Sequence, residues 1–176
     1  MSTDKFSQVI LPLKDKLFRL ALSIVGDKRE SEDIVQDVLL KLWTKKEEWD
    51  EIENLEAYCF RSTRNLAFDQ IATANARLTD PTDLSGESLR FIDEENPHSQ
   101  LVKKERLSLI EECTKELSDN QRLVFQLRDI EGMSYKEIAE IANISEELVK
   151  VSLFRARKKI REMLSNLDNY GIEPHT

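Results

Sequence analysis

Glycine and proline are scarce in this chain, four of each in 176 residues. So few turn formers argue against a sheet built from many hairpins. The wealth of Leu, Ile, Glu and Lys points to helices instead. There are only two cysteines, Cys59 and Cys113. Both sit in apolar-periodic stretches without a pairing pattern, so buried thiols in a reducing cytosol are expected rather than a disulfide. The two histidines, His98 and His175, stand apart from any cluster with metal-ligand spacing. No glycine-rich phosphate loop and no Ser/Cys–His pairing is legible. An enzyme is therefore not expected, and neither is a metal or a cofactor. Long apolar runs are lacking too: stretches such as LALSIV at Leu20–Val25 are far too short to span a bilayer. No charged-then-apolar leader opens the chain. A soluble cytoplasmic protein with no direct membrane insertion is the expectation. Finally, there is no excess of positive charge; 26 Lys and Arg face 34 Asp and Glu, a net charge of -8.

That charge is unevenly spread. Residues 1–76 carry 11 basic and 14 acidic side chains, whereas residues 77–100 carry 2 and 6. Residues 101–167 reverse the balance with 13 and 12, and the tail 168–176 adds two acids. The stretch RLTDPTDLSGESLRFIDEENPHSQ (77–100) holds two of the four prolines and reads as an acidic linker. The chain thus divides into two helical modules, 1–76 and 101–167, and the fold class is all-α with two small helical domains.

In the first module, Pro12 marks a helix start or kink and Gly26 a stop. Asp27 is placed to cap the next helix, with Glu30 three residues on. Ile34, Val35, Val38, Leu39 and Leu42 form an apolar stripe at helical spacing. Asp33, Gln36, Asp37 and Lys41 fall mostly on the other side. The polar stretch KKEEWDEIEN interrupts before a long helix, LEAYCFRSTRNLAFDQIATANAR. In the second module, Ser118 with Gln121 and Ser134 with Glu137 are capping boxes, and Gly132 ends the intervening helix.

The stretch SYKEIAEIANISEELVKVSLFRARKKI (134–160) has the form of a helix-turn-helix. Ile138, Ala139 and Ala142 line one face of its first helix. Asn143 stands where the chain must turn sharply, since Asn tolerates the left-handed conformation. Ile144 plugs the corner and Ser145 caps the second helix, whose start carries Glu146 and Glu147. Val149, Leu153, Ala156 and Ile160 recur as a core-facing stripe. From Lys150 to Arg161 there are six basic residues and no acid, the charge density that phosphate contacts require. A plain αα-hairpin with a solvated basic face is the alternative.

AEIANISEELVKVSLFRARKKIREML, preceded by LSDNQRLVFQLRDIEGMSYKEIA, resembles the C-terminal domain (region 4) of bacterial sigma factors of the extracytoplasmic-function (ECF) group, in the sigma-70 family. SEDIVQDVLLKLW resembles the helix of that family's region 2 that binds the coiled coil of the largest RNA polymerase subunit. LEAYCFRSTRNLAFD resembles the helix that melts and reads the -10 promoter element. The resemblance runs in family order over about 80% of the chain. It implies a transcription initiation factor that binds core RNA polymerase at the coiled coil and the flap. It also implies recognition of promoter DNA at -35 and -10 elements and restraint by an anti-sigma factor. It reconciles a DNA-reading element with an acidic chain, because the polymerase supplies most of the non-specific grip on DNA.

The same resemblance assigns roles. Asp33, Gln36 and Asp37 would face polymerase; read from spacing alone they are one polar patch and equally a solvated face. Tyr58, Arg61, Arg64 and Asn65 would meet the -10 element: Arg61 on phosphate, Tyr58 stacked on an unpaired base, Asn65 on a base edge or sugar–phosphate. Tyr58 as a core aromatic and Asn65 as a network residue are the alternatives. Asp69 is expected to pair with an Arg on its own helix. The loop Trp49–Asn54 stands where the family places a pocket for a flipped base. In the recognition helix Glu147, Leu148, Val151, Ser152 and Arg155 would face the groove, with Lys150, Arg157 and Lys158 on phosphates. Leu148, Val151 and Phe154 would equally suit an anti-sigma partner.

Three departures stand out. LVKVS (148–152) replaces the family's usual threonine-valine-lysine-serine-arginine; QIATANAR follows Asp69 without the usual run of arginines; and Tyr58 stands where Trp is common. They point to modest DNA affinity and keep two other readings open, a stand-alone helix-turn-helix regulator and a helical adaptor with degenerate DNA contacts.

Overall fold

The structure, a computed structural model, describes residues 2–77, 105, 108–110 and 112–169. The acidic linker expected at 77–100 and the tail expected at 168–176 fall almost wholly outside these residues. No strand occurs among the described residues.

The chain opens with a helical segment, Ser2–Lys5, a π turn Phe6–Ile10 and a 3-10 turn Leu11–Leu13 that places Pro12 at its start. There the missing N–H of proline costs nothing. Helix α1 (Lys14–Val25) ends at Gly26, whose φ of 72° lets its N–H reach Leu22 O. Helix α2 (Lys28–Thr44) starts at Asp27, whose Oδ1 accepts from Glu30 N at 2.9 Å. The expected stripe is buried at Ile34, Val35, Val38 and Leu42, with Leu39 half-buried. Helix α3 (Leu55–Arg77) packs on α1 and α2, which pack on each other, making a three-helix bundle. Each fully buried Leu or Ile side chain there contributes roughly 1.5–3 kcal/mol.

In the second module α4 (Asp119–Phe125) runs into a π turn, Gln126–Ile130, closed by Glu131 N on Gln126 O at 3.1 Å. Gly132, again at φ 72°, makes the corner before α5 (Tyr135–Ala142). Both expected capping boxes are present, at Ser118 with Gln121 and at Ser134 with Glu137. Asn143 adopts φ 54°, and its N–H and that of Ile144 both reach Ala139 O. Ser145 Oγ accepts from Leu148 N at 3.1 Å at the start of α6 (Glu146–Asn169). Helices α4, α5 and α6 pack against one another. Val149, Leu153, Ala156 and Ile160 are all buried, as their spacing requires. Arg122 ties this module to the helical stretch before it, donating to the backbone oxygens of Thr114 (3.0 Å) and Leu117 (3.2 Å). A cation at the carbonyl end of a helix is favourably placed.

The modules touch. Helix α3 lies against α5, and α1 against α4 and the π turn. One apolar cluster runs from Ile10 and Leu17 through Phe60 and Ala67 to Leu123, Ile138 and Leu153. A smaller one gathers Cys113, Leu117, Ala156 and Ile160. Both cysteines are free and buried. Burial, reinforced by Glu56, pushes the Cys59 thiol up from 9.0 to about 12.

Candidate partner and nucleic-acid interfaces

Three surfaces follow from these helices. The first is the outer face of α2. Asp33, Gln36 and Asp37 are all exposed there, opposite the buried stripe. The same face carries a residue the sequence reading passed over. Leu40, 63% exposed, lies seven residues after Asp33, four after Gln36 and three after Asp37. It therefore joins their patch. An apolar side chain amid acids on a capped, rigid helix has the composition of a protein contact: an anchor with a polar surround. Its position relative to the three polar residues was the available signal.

The second surface is α3. Asn54 Oδ1 accepts from Ala57 N at 3.0 Å, a helix cap missed in the sequence. Arg61 and Asn65 are exposed and Tyr58 is half-buried. Spacings of three and four residues put these three on one face. Arg64 differs. Its Nη1 donates to Asn65 Oδ1 at 2.9 Å, its guanidinium lies 5.4 Å from the Phe68 ring, and its Nε is buried without a partner. Arg64 and Asn65 thus first engage each other, and Arg61 is the open cation of the set. Asp69 does not pair with an Arg among the described residues; it is exposed, and its backbone oxygen accepts from Thr73 Oγ1. In the loop Trp49–Asn54 the tryptophan and the residues after it differ in exposure. Trp49 is 2% exposed, stacks on Phe6 and donates Nε1–H to Leu42 O at 2.8 Å. It anchors the loop and is not free to receive a base. The residues after it, Asp50, Glu51, Glu53 and Asn54, are exposed.

The third surface is α6. Glu147, Leu148, Val151 and Arg155 point outward as expected, with Leu148 and Val151 about 41–42% exposed. Ser152 does not. It is 6% exposed because it lies three residues after Val149 and four before Ala156, inside the core stripe. Arg157 is already engaged. It donates Nε to Asp129 Oδ2 at 2.9 Å and Nη2 to Oδ1 at 2.5 Å, which raises its pKa above the ordinary value. Lys159 donates to Glu116 O, and Lys150 lies 5.7 Å from the Tyr135 ring. Among the described residues the side chains of Arg155, Lys158 and Arg161 make no ion pair or hydrogen bond, which leaves these three cations open to an outside anion. Phe154 is 63% exposed beside a groove of about 640 Å³ floored by Phe125, Tyr135, Leu153 and Ile160 and edged by Lys150, Arg157 and Arg161. The pairing of residues 129 and 157 joins distant parts of the chain, and nothing in local spacing signals it.

Comparison with known proteins finds matches for both modules. The family model "Sigma-70 region 2" matches residues 9–77, and "Sigma-70, region 4" matches residues 107–160. The chain is 32% identical over 153 residues to the ECF RNA polymerase sigma factor SigL of Mycobacterium tuberculosis (strain H37Rv), covering 86% of this chain and 84% of the relative. It is 27% identical over 170 residues to the ECF RNA polymerase sigma factor SigW of Bacillus subtilis (strain 168), covering 93% and 91%. Among solved structures it is similar to the sigma factor RpoE in complex with the anti-sigma factor NepR from Bartonella quintana. That match has a TM-score of 0.72 and 25% identity over 91% of this chain and 96% of that one. CnrH, solved with the cytosolic domain of CnrY, shares the fold at a TM-score of 0.67 and 21% identity, over 93% and 90%.

Proposed function

Because the chain belongs to the ECF group of sigma-70 RNA polymerase sigma factors, we propose that it carries core RNA polymerase to a set of promoters through a division of labour between its modules. The outer face of α2, with Asp33, Gln36, Asp37 and Leu40, receives the polymerase coiled coil. The second module engages the polymerase flap and reads the -35 element with α6. Helix α3 meets the -10 element and helps to open it. RNA synthesis belongs to the polymerase; the chain contributes binding and positioning. Its place of work is the cytoplasm, and among the described residues no helix is long and apolar enough to cross a membrane.

One observation carries this reading: an acidic patch with an apolar anchor and a basic helix-turn-helix occur on one chain, in the order of sigma regions 2 and 4. A stand-alone operator-binding regulator accounts for the second module only. A helical adaptor leaves the outward set Arg155, Lys158 and Arg161 without a task.

On α6, Leu148 and Val151 have the apolar character to touch a thymine methyl, and Glu147 to accept from a cytosine amino group. Arg155 and Lys158 meet phosphates. On α3, Arg61 holds backbone phosphate while Tyr58 offers a stacking face to an unpaired base, worth about 1–3 kcal/mol per base. Extruding a base costs a few kcal/mol, so the melted strand needs several such contacts. The exposed apolar set Leu148, Val151 and Phe154 also offers a landing site for an anti-sigma factor, of the kind seen with RpoE and NepR.

In vitro transcription from a pooled library of genomic fragments tests the function. Core polymerase with this chain is expected to give defined start sites that core alone lacks. Arg61→Ala should lower permanganate reactivity of the melted -10 strand while leaving core binding intact. Start sites identical with and without the chain would refute the assignment.

A further inference from the structure

Arg64 and Asn65 are sequence neighbours on α3, and their side chains meet. Arg64 Nη1 donates to Asn65 Oδ1 at 2.9 Å. Chemistry allows no other pairing. A guanidinium carries donors only, so the one head of the Asn65 amide it can hold is the carbonyl oxygen. The amide is oriented as a result. Oδ1 is turned to Arg64, and the Nδ2 hydrogens are left to the open side of an exposed residue. The bond is charge-assisted, and so stronger than one from a neutral donor.

Arg64 is itself held in place. Its guanidinium lies 5.4 Å from the ring of Phe68, one turn further along α3. Phe68 in turn packs against the apolar core. Arg64 Nε is buried without a hydrogen-bond partner, the one such side-chain atom among the described residues. A buried donor left unmade is destabilising, and an arginine turned out to water would not suffer it. The side chain keeps this unfavourable placement and directs Nη1 at Asn65. A chain of contacts thus runs from the core through Phe68 and Arg64 to the amide of Asn65 at the surface.

On the reading of α3 as the helix that meets the -10 element, we propose that Arg64 is a positioning residue: it fixes Asn65 as a hydrogen-bond donor, and Asn65 selects a base that offers an acceptor. An unrestrained asparagine is ambivalent. Its amide can turn over, and with both heads side by side it clasps adenine at N6 and N7. With Oδ1 committed to Arg64, that clasp loses its acceptor. Nδ2–H remains suited to a carbonyl on a base, such as O6 of guanine or O4 of thymine. Adenine, whose N6 amino group asks for an acceptor, is the base this arrangement disfavours.

The test is in vitro transcription with core RNA polymerase and the full chain. The template is a promoter found with the wild type, its -10 element randomised. Wild type is run beside Arg64→Met, Arg64→Lys and Asn65→Asp. Size exclusion with core and circular dichroism check the assembly and helices of each. Arg64→Met keeps a stem over Phe68 and removes every donor. At one -10 position it should raise the use of adenine, relative to the preferred base, by roughly fivefold or more. Arg64→Lys still donates to Oδ1 and should restore the wild-type preference. Asn65→Asp keeps the bond to Arg64 but has no donor, and should lower output from the preferred promoter by up to about tenfold. A purely structural Arg64 would change output from all templates alike and leave base preference untouched. Wild-type preference in Arg64→Met, or full activity in Asn65→Asp, would overturn the positioning role while the sigma reading stands. No defined start sites with the wild type itself would remove the sigma reading, and the base selection with it.

Discussion

Arg157 on the recognition helix grips Asp129 through Nε and Nη2, at 2.9 and 2.5 Å across a sequence separation of 28 residues. The fork spans from the π turn after α4 to the middle of α6 and fixes how the recognition helix sits on its support. The most basic stretch of the chain thus divides into a structural part and a free part. Arg157→Ala is expected to lower the unfolding free energy by up to about 1 kcal/mol, since the pair is partly exposed. It should leave the salt dependence of DNA binding nearly unchanged. Arg155→Ala and Lys158→Ala should behave oppositely, keeping stability and each reducing the slope of log K against log salt by about 0.9. Equal slopes for all three variants would contradict the division.

Ser152 gives a cleaner contrast. It is buried between Val149 and Ala156. Ser152→Ala should leave affinity for a cognate promoter complex within about twofold. Ser152→Arg, which forces a cation into the core, should cost several kcal/mol. A large loss of promoter binding in Ser152→Ala with an unchanged melting temperature would show that the side chain turns outward on DNA.

Trp49 should behave as a core residue. Stacked on Phe6 and bonded to Leu42 O, it ties the loop before α3 to the end of α2. Trp49→Ala is expected to cost about 3–5 kcal/mol, and Trp49→Phe, which loses the hydrogen bond but keeps the ring, considerably less. If Trp49→Ala spared stability and abolished only promoter melting, the tryptophan itself would be part of the DNA contact.

The Cys59 thiol, held up at about 12 by burial, sets a pH dependence. The folded state keeps its proton in a range where the unfolded chain has lost it. Stability from this group is therefore full below pH 9 and falls as pH rises from 9 toward 12. Cys59→Ala should flatten that fall, measured by denaturant unfolding at pH 8 and pH 10. The native thiol should also resist a disulfide reagent at pH 8 until the chain unfolds.

What was legible in the sequence was whatever short-range spacing encodes. The α2 stripe, the caps at Asp27, Ser118, Ser134 and Ser145, and the left-handed Asn143 are all decided within one or two helical turns, and all appear where spacing puts them. What was not legible depends on how distant segments meet. Local pattern gives no hint that Asp129 captures Arg157 or that the loop tryptophan turns inward onto Phe6. Ser152 sits between the two kinds. Its spacing from Val149 and Ala156 was there to read, but the resemblance to a DNA-facing motif outweighed it. Leu40 was legible by the same arithmetic and was passed over as one more apolar helix residue.

The α2 surface is the part of the account on which the rest depends, and it can be measured directly. The purified chain is mixed with bacterial core RNA polymerase and resolved by size exclusion, beside Asp33→Ala/Asp37→Ala and Leu40→Ala. The account predicts that the wild type co-elutes with core. The double variant and Leu40→Ala should each bind about tenfold or more weakly, with melting temperatures unchanged, because all three side chains are exposed. No co-elution of the wild type, together with tight binding of the chain alone to duplex DNA, would contradict it and identify an operator-binding regulator.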